Sequence, residues 1–511
     1  MILASSLNLG KTDALVNLAD DLAVFVRQAA QEGADLDTVE RGAFARVLEI
    51  GRAAVDFFLD AQGDGDLGAS IASKDGVVLH RSDSVQKRPL RTIFGEHVLQ
   101  TYVYSRGSKT KIELRPIDAR INLPEGKASY LLQEFTQLFC VEKAFGVGAR
   151  QFKTVFGQKL SVDVLEDINR AMGEQADRFL DQLPKPPAKE EGAILVTTAD
   201  GKGVPLVKQD AQKVPAFDKK ERPGNRRMAT LGCVYTVDPY VRTPEQIVAA
   251  LFRDDSVLQP PDRPEACFKR YRAYFAEEDR EGKESVPSAY PTWAWIGKEV
   301  KMRHQPGQPI IRLMDGQPSL WDAADACLDE FIAELRDAPK PSPLVDILDI
   351  IHVSGYVWKA AKAFYTHHEQ QEAFAQDRLL RILRGEVTAV ITGMRRMASK
   401  RNLKAEAMKA VTTACNYFET NAQRMRYDEY LQAGYPIASG VIEGACRHVI
   451  KDRMEQGGMR WTLEGAKAML NVRSVLASTA SEKFNSWRSA EEAKRVHPHR
   501  NLIVNPNDLK A

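Results

Sequence analysis

Two short apolar segments, each ending in an Asp-Gly pair, constrain the fold of this chain most strongly. They are AILVTTADG, which ends at Gly201, and PIIRLMDG, which ends at Gly316. Short apolar runs bounded by turn residues are typical of buried strands. Segments with helical periodicity lie between and after them, so the alternation predicts an α/β layer structure. In such a sheet, ligands gather at the ends of the strands.

The predicted strand ends carry the carboxylates Asp200 and Asp315. A carboxylate at this place, followed by a glycine that permits a sharp turn, is well placed to hold a hard cation through oxygen. Asp-Gly is also a common turn pair, so each aspartate taken alone is open to that simpler interpretation.

A third candidate acid, Glu443, lies between apolar residues in SGVIEGACRHVIKD, near a predicted helix start. An acid among apolar residues is costly to bury unless it is paired or binds metal. The alternative is an acid that favours the dipole at the N-terminus of a helix. Three such carboxylates suit phosphoryl transfer, in which two Mg²⁺ ions about 3.5–4 Å apart clamp the attacking and the leaving oxygen. This chemistry requires no histidine base and no covalent nucleophile.

Five segments in combination resemble the ISKra family of bacterial insertion-sequence transposases: TTADGKGVPL, RRMATLGCVYTVDPYVRTPE, IIRLMDGQPSLW, DILDIIHVSGYVWKAA and SGVIEGACRHVIKDRMEQGGMRW. The resemblance runs through most of the chain. It implies a DDE transposase with an RNase H-like core. It also implies that the catalytic and metal-binding triad is Asp200, Asp315 and Glu443, with Mg²⁺ or Mn²⁺ as the cofactor, as two ions.

The resemblance also points to accessory residues. Asp349 and His352 look like the (Cys/Asp)-x-x-His motif of related transposases, and a spacing of three lets both face one side of a helix start. A hydrogen-bonded structural histidine is the alternative for His352. Lys202 follows the first aspartate closely and could contact a phosphate, or it could be a solvated lysine.

Basic residues with one aromatic follow Glu443 in the sequence. Such a group suits phosphate contact and base stacking, although a solvated surface is the alternative. We predict DNA contact for five residues: Arg447, Lys451, Arg453, Arg460 and Trp461.

A chain of 511 residues is too long for one ordinary core. The segment LPKPPAKEEG marks a break after a mixed helical and β-hairpin N-terminal DNA-binding region, residues 1–185. The first part of the RNase H-like core is predicted at 190–355. A helical insertion at 356–435, final core helices with Glu443 at 436–480 and a C-terminal tail at 481–511 complete the prediction.

The predicted function is metal-dependent cleavage of double-stranded DNA at transposon ends, followed by strand transfer into target DNA, by a homo-oligomer on DNA. One alternative is an RNase H-fold nuclease or resolvase that cleaves without strand transfer. The other is a non-catalytic, transposase-derived DNA-binding protein. No segment approaches the roughly 20 apolar residues of a membrane helix, and the N-terminus lacks the pattern of a signal peptide. We therefore expect a cytoplasmic protein with no membrane partner.

Overall fold

Helices predominate in the computed structural model, and a mixed sheet lies among them, so the prediction of an α/β protein is confirmed in this coarse form. The chain divides into two compact units, Met1–Gln175 together with Ser481–Ala511, and Ala176–Ala480. No described helix is both long and apolar enough to cross a membrane. The structure describes residues 9–72, 76–107, 109–211, 225–254, 263–280 and 284–503.

The first unit begins with a helical hairpin and continues into short strands and helices. Strands β1, β2, β5 and β6 form an antiparallel sheet in that order, and β3 pairs with β4 as a separate hairpin. Its elements are α1 (Leu9–Glu32), α2 (Leu36–Asp60), β1 (Ser70–Ala72), β2 (Val78–Arg81), β3 (Gln86–Thr92), β4 (Gly95–Thr101), β5 (Tyr104–Ser105), β6 (Ile112–Leu114), α3 (Pro116–Arg120), α4 (Tyr130–Cys140), α5 (Phe145–Phe156) and α6 (Val162–Asp181), which crosses the unit boundary.

The second unit is built on a five-stranded sheet. Its elements, as far as they are described, are β7 (Ile194–Pro205), α7 (Lys208–Ala211), β8 (Arg226–Val237), α8 (Pro244–Phe252), β9 (Cys267–Phe275), β10 (Glu277–Glu278), β11 (Glu284–Val286), α9 (Ala289–Arg303), β12 (Ile310–Met314), α10 (Pro318–Arg336), β13 (Leu344–Leu348), α11 (Ile350–Phe364), α12 (His368–Leu383), α13 (Val387–Lys400), α14 (Ala405–Thr420), α15 (Tyr427–Gln432), α16 (Gly440–Ala445), α17 (Asp452–Met454) and α18 (Leu463–Ala477).

The order of strands in this sheet is β13-β12-β7-β8-β9. Strand β8 is antiparallel to both β7 and β9, whereas β12 is parallel to β7 and β13 is parallel to β12. The apolar run of β7 is buried because helices α9 and α10 pack on the sheet, and Trp293 and Trp321 join Leu195 and Ile310 in one core cluster. The strands predicted from AILVTTAD and PIIRLMDG are therefore buried strands, as their composition requires.

The stretch 356–435 lies in helices α11 to α15 and their connections. Two tyrosines of α15 fasten it to the sheet, because Tyr427 Oη donates to the carbonyl of Leu348 at 2.7 Å and Tyr430 Oη donates to that of Asp346 at 3.0 Å. The ring of Tyr427 is fully buried.

The C-terminal segment, predicted as a tail, contains α19 (Ser481–Val496) and belongs to the first unit. The buried Arg488 donates to Gln133 Oε1 at 2.7 Å, and Glu492 Oε2 accepts from Gln175 Nε2 at 2.9 Å. These contacts explain how a segment so distant in sequence takes part in this unit.

Candidate active site

Strands β12 and β13 bring two aspartates to the same level of the sheet. Met314 and Leu348 are partners at the ends of these parallel strands, and Asp315 and Asp349 follow them directly. The peptide N–H of Asp349 donates to the carbonyl of Met314 at 2.8 Å, which fixes the two chain ends side by side. Both carboxylates therefore lie at the carboxyl edge of the sheet, where ligands gather in α/β folds.

Asp200 lies at that same level on the neighbouring strand. Arg312 of β12 pairs with Thr197 of β7, and continuing this parallel register by three residues places Asp200 beside Asp315. One oxygen of Asp200 accepts from Gly201 N at 2.7 Å. The register thus puts carboxylates at one level on three adjacent parallel strands, an alignment that the spacing of the sequence alone does not show.

Helix α16 and the start of α11 bring Glu443 and His352 to the same edge. Helix α16 packs against β7, and Glu443 Oε1 accepts from Ser439 Oγ at 3.3 Å. His352 Nδ1 lies 3.6 Å from Glu443 Oε1. Asp349, His352 and Glu443 each present a ligand atom within 4.8 Å of the others, the one such group of three within the described ranges.

Asp349 is the N-cap of α11 and is fully buried. One of its oxygens accepts from Ile351 N at 3.2 Å and from Ser439 N at 2.9 Å, and the other accepts from His352 N at 3.3 Å and from His352 Nδ1 at 2.8 Å. These donors hold the pKa of Asp349 below its ordinary value even though burial opposes this. Through these hydrogen bonds, Asp349 fixes the orientation of His352.

The carboxylates at this edge of the sheet repel one another. Burial raises the pKa of Asp315, and Asp200 and Asp349 raise it further. The pKa of Glu443 is raised by burial and by Asp349. The hydrogen bond to Asp349, with smaller contributions from the nearby carboxylates, raises the pKa of His352 to about 9. Several carboxylates held close together in this way favour a bound cation.

The donor set at this edge consists of carboxylate oxygens and one imidazole. Oxygen ligands are those that Mg²⁺ and Mn²⁺ prefer, and imidazole also suits first-row metals. Asp349, His352 and Glu443 have ligand atoms close enough for one ion, but both oxygens of Asp349 already accept hydrogen bonds. Asp200 and Asp315 lie beside it on the sheet and are held in place by backbone N–H donors, Asp315 by Gln317 N at 3.0 Å.

Lys202 lies two residues beyond Asp200 on β7, so the two side chains leave the same face of the strand. Cys446 also contacts this strand, with Sγ 3.6 Å from the carbonyl oxygen of Asp200. Burial raises the pKa of the Cys446 thiol, the charge of Asp200 raises it too, and the charge of Lys202 opposes them. Lys202 itself is half-buried.

Helix α14 contributes Tyr417, a residue that no sequence pattern singled out. Tyr417 Oη accepts from Gly316 N at 3.1 Å, directly after Asp315, and its ring stacks on Tyr356 with centroids 4.0 Å apart. A Cβ atom on Gly316 would come within 2.4 Å of the Tyr417 ring. The glycine of this Asp-Gly pair is thus required by close packing, and it has no positive φ.

The five residues predicted to contact DNA divide into two groups. Arg447, Lys451 and Arg460 are exposed. Arg453 is 0% exposed and Trp461 is 6% exposed, with the guanidinium 4.6 Å from the centre of the indole ring. The prediction of DNA contact does not carry over to Arg453 and Trp461, because both lie inside the protein and pack on each other.

A π-helical segment, Cys446–Lys451, lies between Glu443 and Arg453. It widens the helical turn, so that residues counted at ordinary helical spacing emerge on a different side. Arg453 follows Lys451 by two residues, roughly 200° around a helix, so Arg453 is buried while Lys451 is exposed.

Comparison with known proteins adds little. No protein-family model and no curated protein matches this chain. One similar solved structure is the Drosophila P element transposase strand transfer complex, with 9% identity, coverage of 70% of this chain and 80% of that chain, and a TM-score of 0.21. The chemistry of this chain is therefore inferred from its own residues.

Proposed function

We propose that this chain is a DDE-type DNA transposase that cleaves double-stranded DNA at transposon ends and joins the cut ends to target DNA. The observation that carries the proposal is the common level of Asp200 and Asp315 on adjacent parallel strands. Glu443 enters from a later helix that packs on the first of these strands. Acids on separate elements that converge at one sheet edge suit metal-dependent phosphoryl transfer.

The topology of the sheet supports an RNase H-like core. Numbered along the chain, its strands lie in the order 3-2-1-4-5, and the second strand is antiparallel to its neighbours. This order and these directions are those of the RNase H-type sheet. The helices of 356–435 then form an insertion between the fifth strand and the helix with Glu443.

Asp200, Asp315 and Glu443 would hold two Mg²⁺ or Mn²⁺ ions. When bound, such ions lower the pKa of an attacking water or 3′-hydroxyl and neutralise charge on the phosphate. The donor set fits because it is rich in carboxylate oxygens. Burial, and then the charges of Asp200 and Asp349, raise the pKa of Asp315, and a bound cation would relieve this repulsion. Either Mg²⁺ or Mn²⁺ accepts such oxygen ligands.

The chain's own residues do the positioning. Asp349 fixes the ring of His352 beside Glu443 by the 2.8 Å hydrogen bond to Nδ1, and the ring is an accessory to the metal centre or to the phosphate. Lys202, Arg447, Lys451 and Arg460 contact phosphates and so hold the DNA over the acids, without reading its sequence.

The acids can be tested one at a time. Asp200→Asn, Asp315→Asn and Glu443→Gln should each abolish Mg²⁺-dependent cleavage and leave DNA binding within about twofold, because metal ligation depends on their charge. The substrate is a supercoiled plasmid that carries the genomic DNA flanking the gene. Asp322→Asn, an exposed acid on α10, is the matched control and should retain activity.

The same assay separates the alternatives. Near wild-type strand transfer by any one of the three variants would remove that residue from the triad. Cut DNA without joined products would identify a nuclease or resolvase. Binding of the flanking DNA without cutting, in Mg²⁺ and in Mn²⁺, would identify a non-catalytic DNA-binding protein.

A further inference from the structure

A cleft of about 570 Å³ opens beside Glu443. The end of β8, the loop before α8, the start of α11 and the loop before α16 form its walls. Ligand pockets in proteins span about 300–1,000 Å³, so the cleft has room for one small molecule or one nucleotide. The residues that matter for its chemistry are Tyr235, Tyr240, Arg242, Arg263, Ile351 and Glu443.

Two guanidinium groups give the cleft its charge. Arg242 is half-buried, and its Nε donates to the carbonyl of Tyr240 at 3.0 Å while Nη2 donates to that of Tyr435. Burial, and to a smaller extent the positive charge of Arg263, lower the pKa of Arg242 to about 10. Arg263 itself is exposed. Within the described part of the chain, neither arginine has a carboxylate partner in an ion pair.

The acids at the cleft do not neutralise this charge. Asp238 is exposed, and its Oδ1 accepts from Ala193 N at 3.0 Å. Glu443 lies at the boundary with the metal centre and is bonded to Ser439. Two like charges that form no ion pair with a carboxylate of the described residues favour an anion, and planar guanidinium groups match the geometry of phosphate.

The other walls of the cleft suit a flat, weakly polar group. The ring of Tyr240 is half-buried, Tyr235 is buried behind it, and Ile351 exposes 39% of its surface at the start of α11. Aromatic rings and apolar side chains of this kind accept a nucleobase by stacking, which is insensitive to sequence. The cleft thus combines a phosphate site with a base site.

We propose that this cleft binds one nucleotide of the DNA strand that is cleaved. Arg242 and Arg263 contact the nucleotide's phosphate, and Tyr240 and Ile351 contact its base. The inference rests on the proposed function, because it takes DNA as the substrate and Glu443 as part of the metal centre. It adds a strand-positioning site that none of the acids provides.

Binding measured without divalent cations tests the cleft separately from catalysis. A fluorescein-labelled oligodeoxythymidylate in EDTA should bind the full-length protein, and Arg263→Ala should weaken its affinity about tenfold, the size of one charge-assisted hydrogen bond. Arg396→Ala removes an exposed arginine outside the cleft and is the control, with an expected change below about twofold. Arg242→Lys keeps the charge in case Arg242→Ala fails to fold, and it should weaken binding less than Arg263→Ala.

The position of the base is tested by photocrosslinking. An oligonucleotide that contains 5-iododeoxyuridine should crosslink to the peptide with Tyr235 and Tyr240, and the crosslink should fall in Tyr240→Ala. Equal affinities for Arg263→Ala and Arg396→Ala, or crosslinks confined to other peptides, would overturn the proposal. So would tight binding of thymidine 5′-monophosphate with no binding of the oligonucleotide, because a free nucleotide would then be the ligand. Asp200→Asn should leave this binding unchanged. An error in the proposed triad can therefore be distinguished from an error in the proposed nucleotide site.

Discussion

Asp349 and His352 form a unit in which one side chain sets the chemistry of the other. Nδ1 donates to Asp349, so Nε2 is the nitrogen that remains, as an N–H donor to a phosphate or, after it loses its proton, as a ligand to a metal. The three-residue spacing in the sequence predicted that both face one side of a helix start, and the structure has them in contact. Their functional role stays a prediction.

Asp349→Asn should lower the pKa of His352 from about 9 toward the ordinary histidine value of about 6.5, because the hydrogen bond and the negative charge of Asp349 raise it. Asparagine keeps Oδ1 as an acceptor for Ile351 N and Ser439 N, so the start of α11 should persist. NMR titration of the His352 ring in EDTA measures the pKa. An unchanged pKa in a folded variant would show that Asp349 does not control the ring.

The exposed and the buried basic residues after Glu443 should contribute differently to DNA binding. Replacing both Arg447 and Lys451 by alanine should make the slope of log affinity against log salt shallower by about 1.8, which corresponds to two phosphate contacts on duplex DNA. The ion pair of Arg447 with Asp452, at 3.7 Å, is exposed and contributes little to stability. Fluorescence anisotropy across a salt series measures the slope.

Arg453→Ala is the matched comparison. Because Arg453 is fully buried on Trp461, this variant should lose about 1–3 kcal/mol of unfolding free energy and leave the salt slope unchanged. A salt slope altered by Arg453→Ala but not by the double variant would reverse our assignment of these side chains.

The strands that carry the acids could be predicted, but their alignment could not. AILVTTAD and PIIRLMDG are apolar enough to be identified as buried strands, and each ends in its aspartate. Asp349 lies beside Asp315 only because of the way residues pair across β12 and β13. A shift of this pairing by one residue would leave the composition of both strands unchanged, so the sequence does not reveal it. The π-helical turn after Glu443 also lacks a signal in residue type.

Helix α14 couples the helical region to the loop that carries Asp315. Gly316→Ala would push a methyl group to within 2.4 Å of the Tyr417 ring, so the ring or the loop must move. We expect a loss of about 1–3 kcal/mol of unfolding free energy, as for other overpacked sites, together with reduced cleavage. Denaturant unfolding and the plasmid assay measure these two effects.

A double variant at Gly316 and Tyr417 isolates the contact between these two residues. In a Tyr417→Leu background, Gly316→Ala should cost less than it does alone, which gives a nonzero coupling energy. Gly355→Ala is the control, since a Cβ at this exposed glycine of α11 meets nothing within 4 Å and alanine favours a helix. Additive costs for Gly316 and Tyr417 would show that α14 does not act through this contact.

The first unit contains two parts of the chain that lie far apart in sequence. Asn122 Nδ2 donates to the carbonyl of Ser489 at 3.2 Å, and His497 Nε2 lies 2.7 Å from the carbonyl oxygen of Leu123. The residues of α19 do not identify the surface that receives this helix. For this reason the C-terminal segment was predicted as a tail, whereas the break before AILVTTAD had a local signal in its prolines.

The fragment 1–185, predicted from the sequence as the DNA-binding region, should be unstable without the C-terminal segment. Its removal leaves Gln133, Gln175 and the carbonyl of Leu123 without the partners that Arg488, Glu492 and His497 provide. A buried polar group without its partner costs about 1–3 kcal/mol, and three such losses consume much of a typical stability of about 5–15 kcal/mol. Fusing residues 481–503 to 1–185 through a glycine-serine linker should restore a cooperative thermal transition, followed by far-UV circular dichroism. Equal transition temperatures for both fragments would show that the segment adds nothing to this unit, whereas Arg488→Ala in the fused fragment should lower the transition toward that of 1–185.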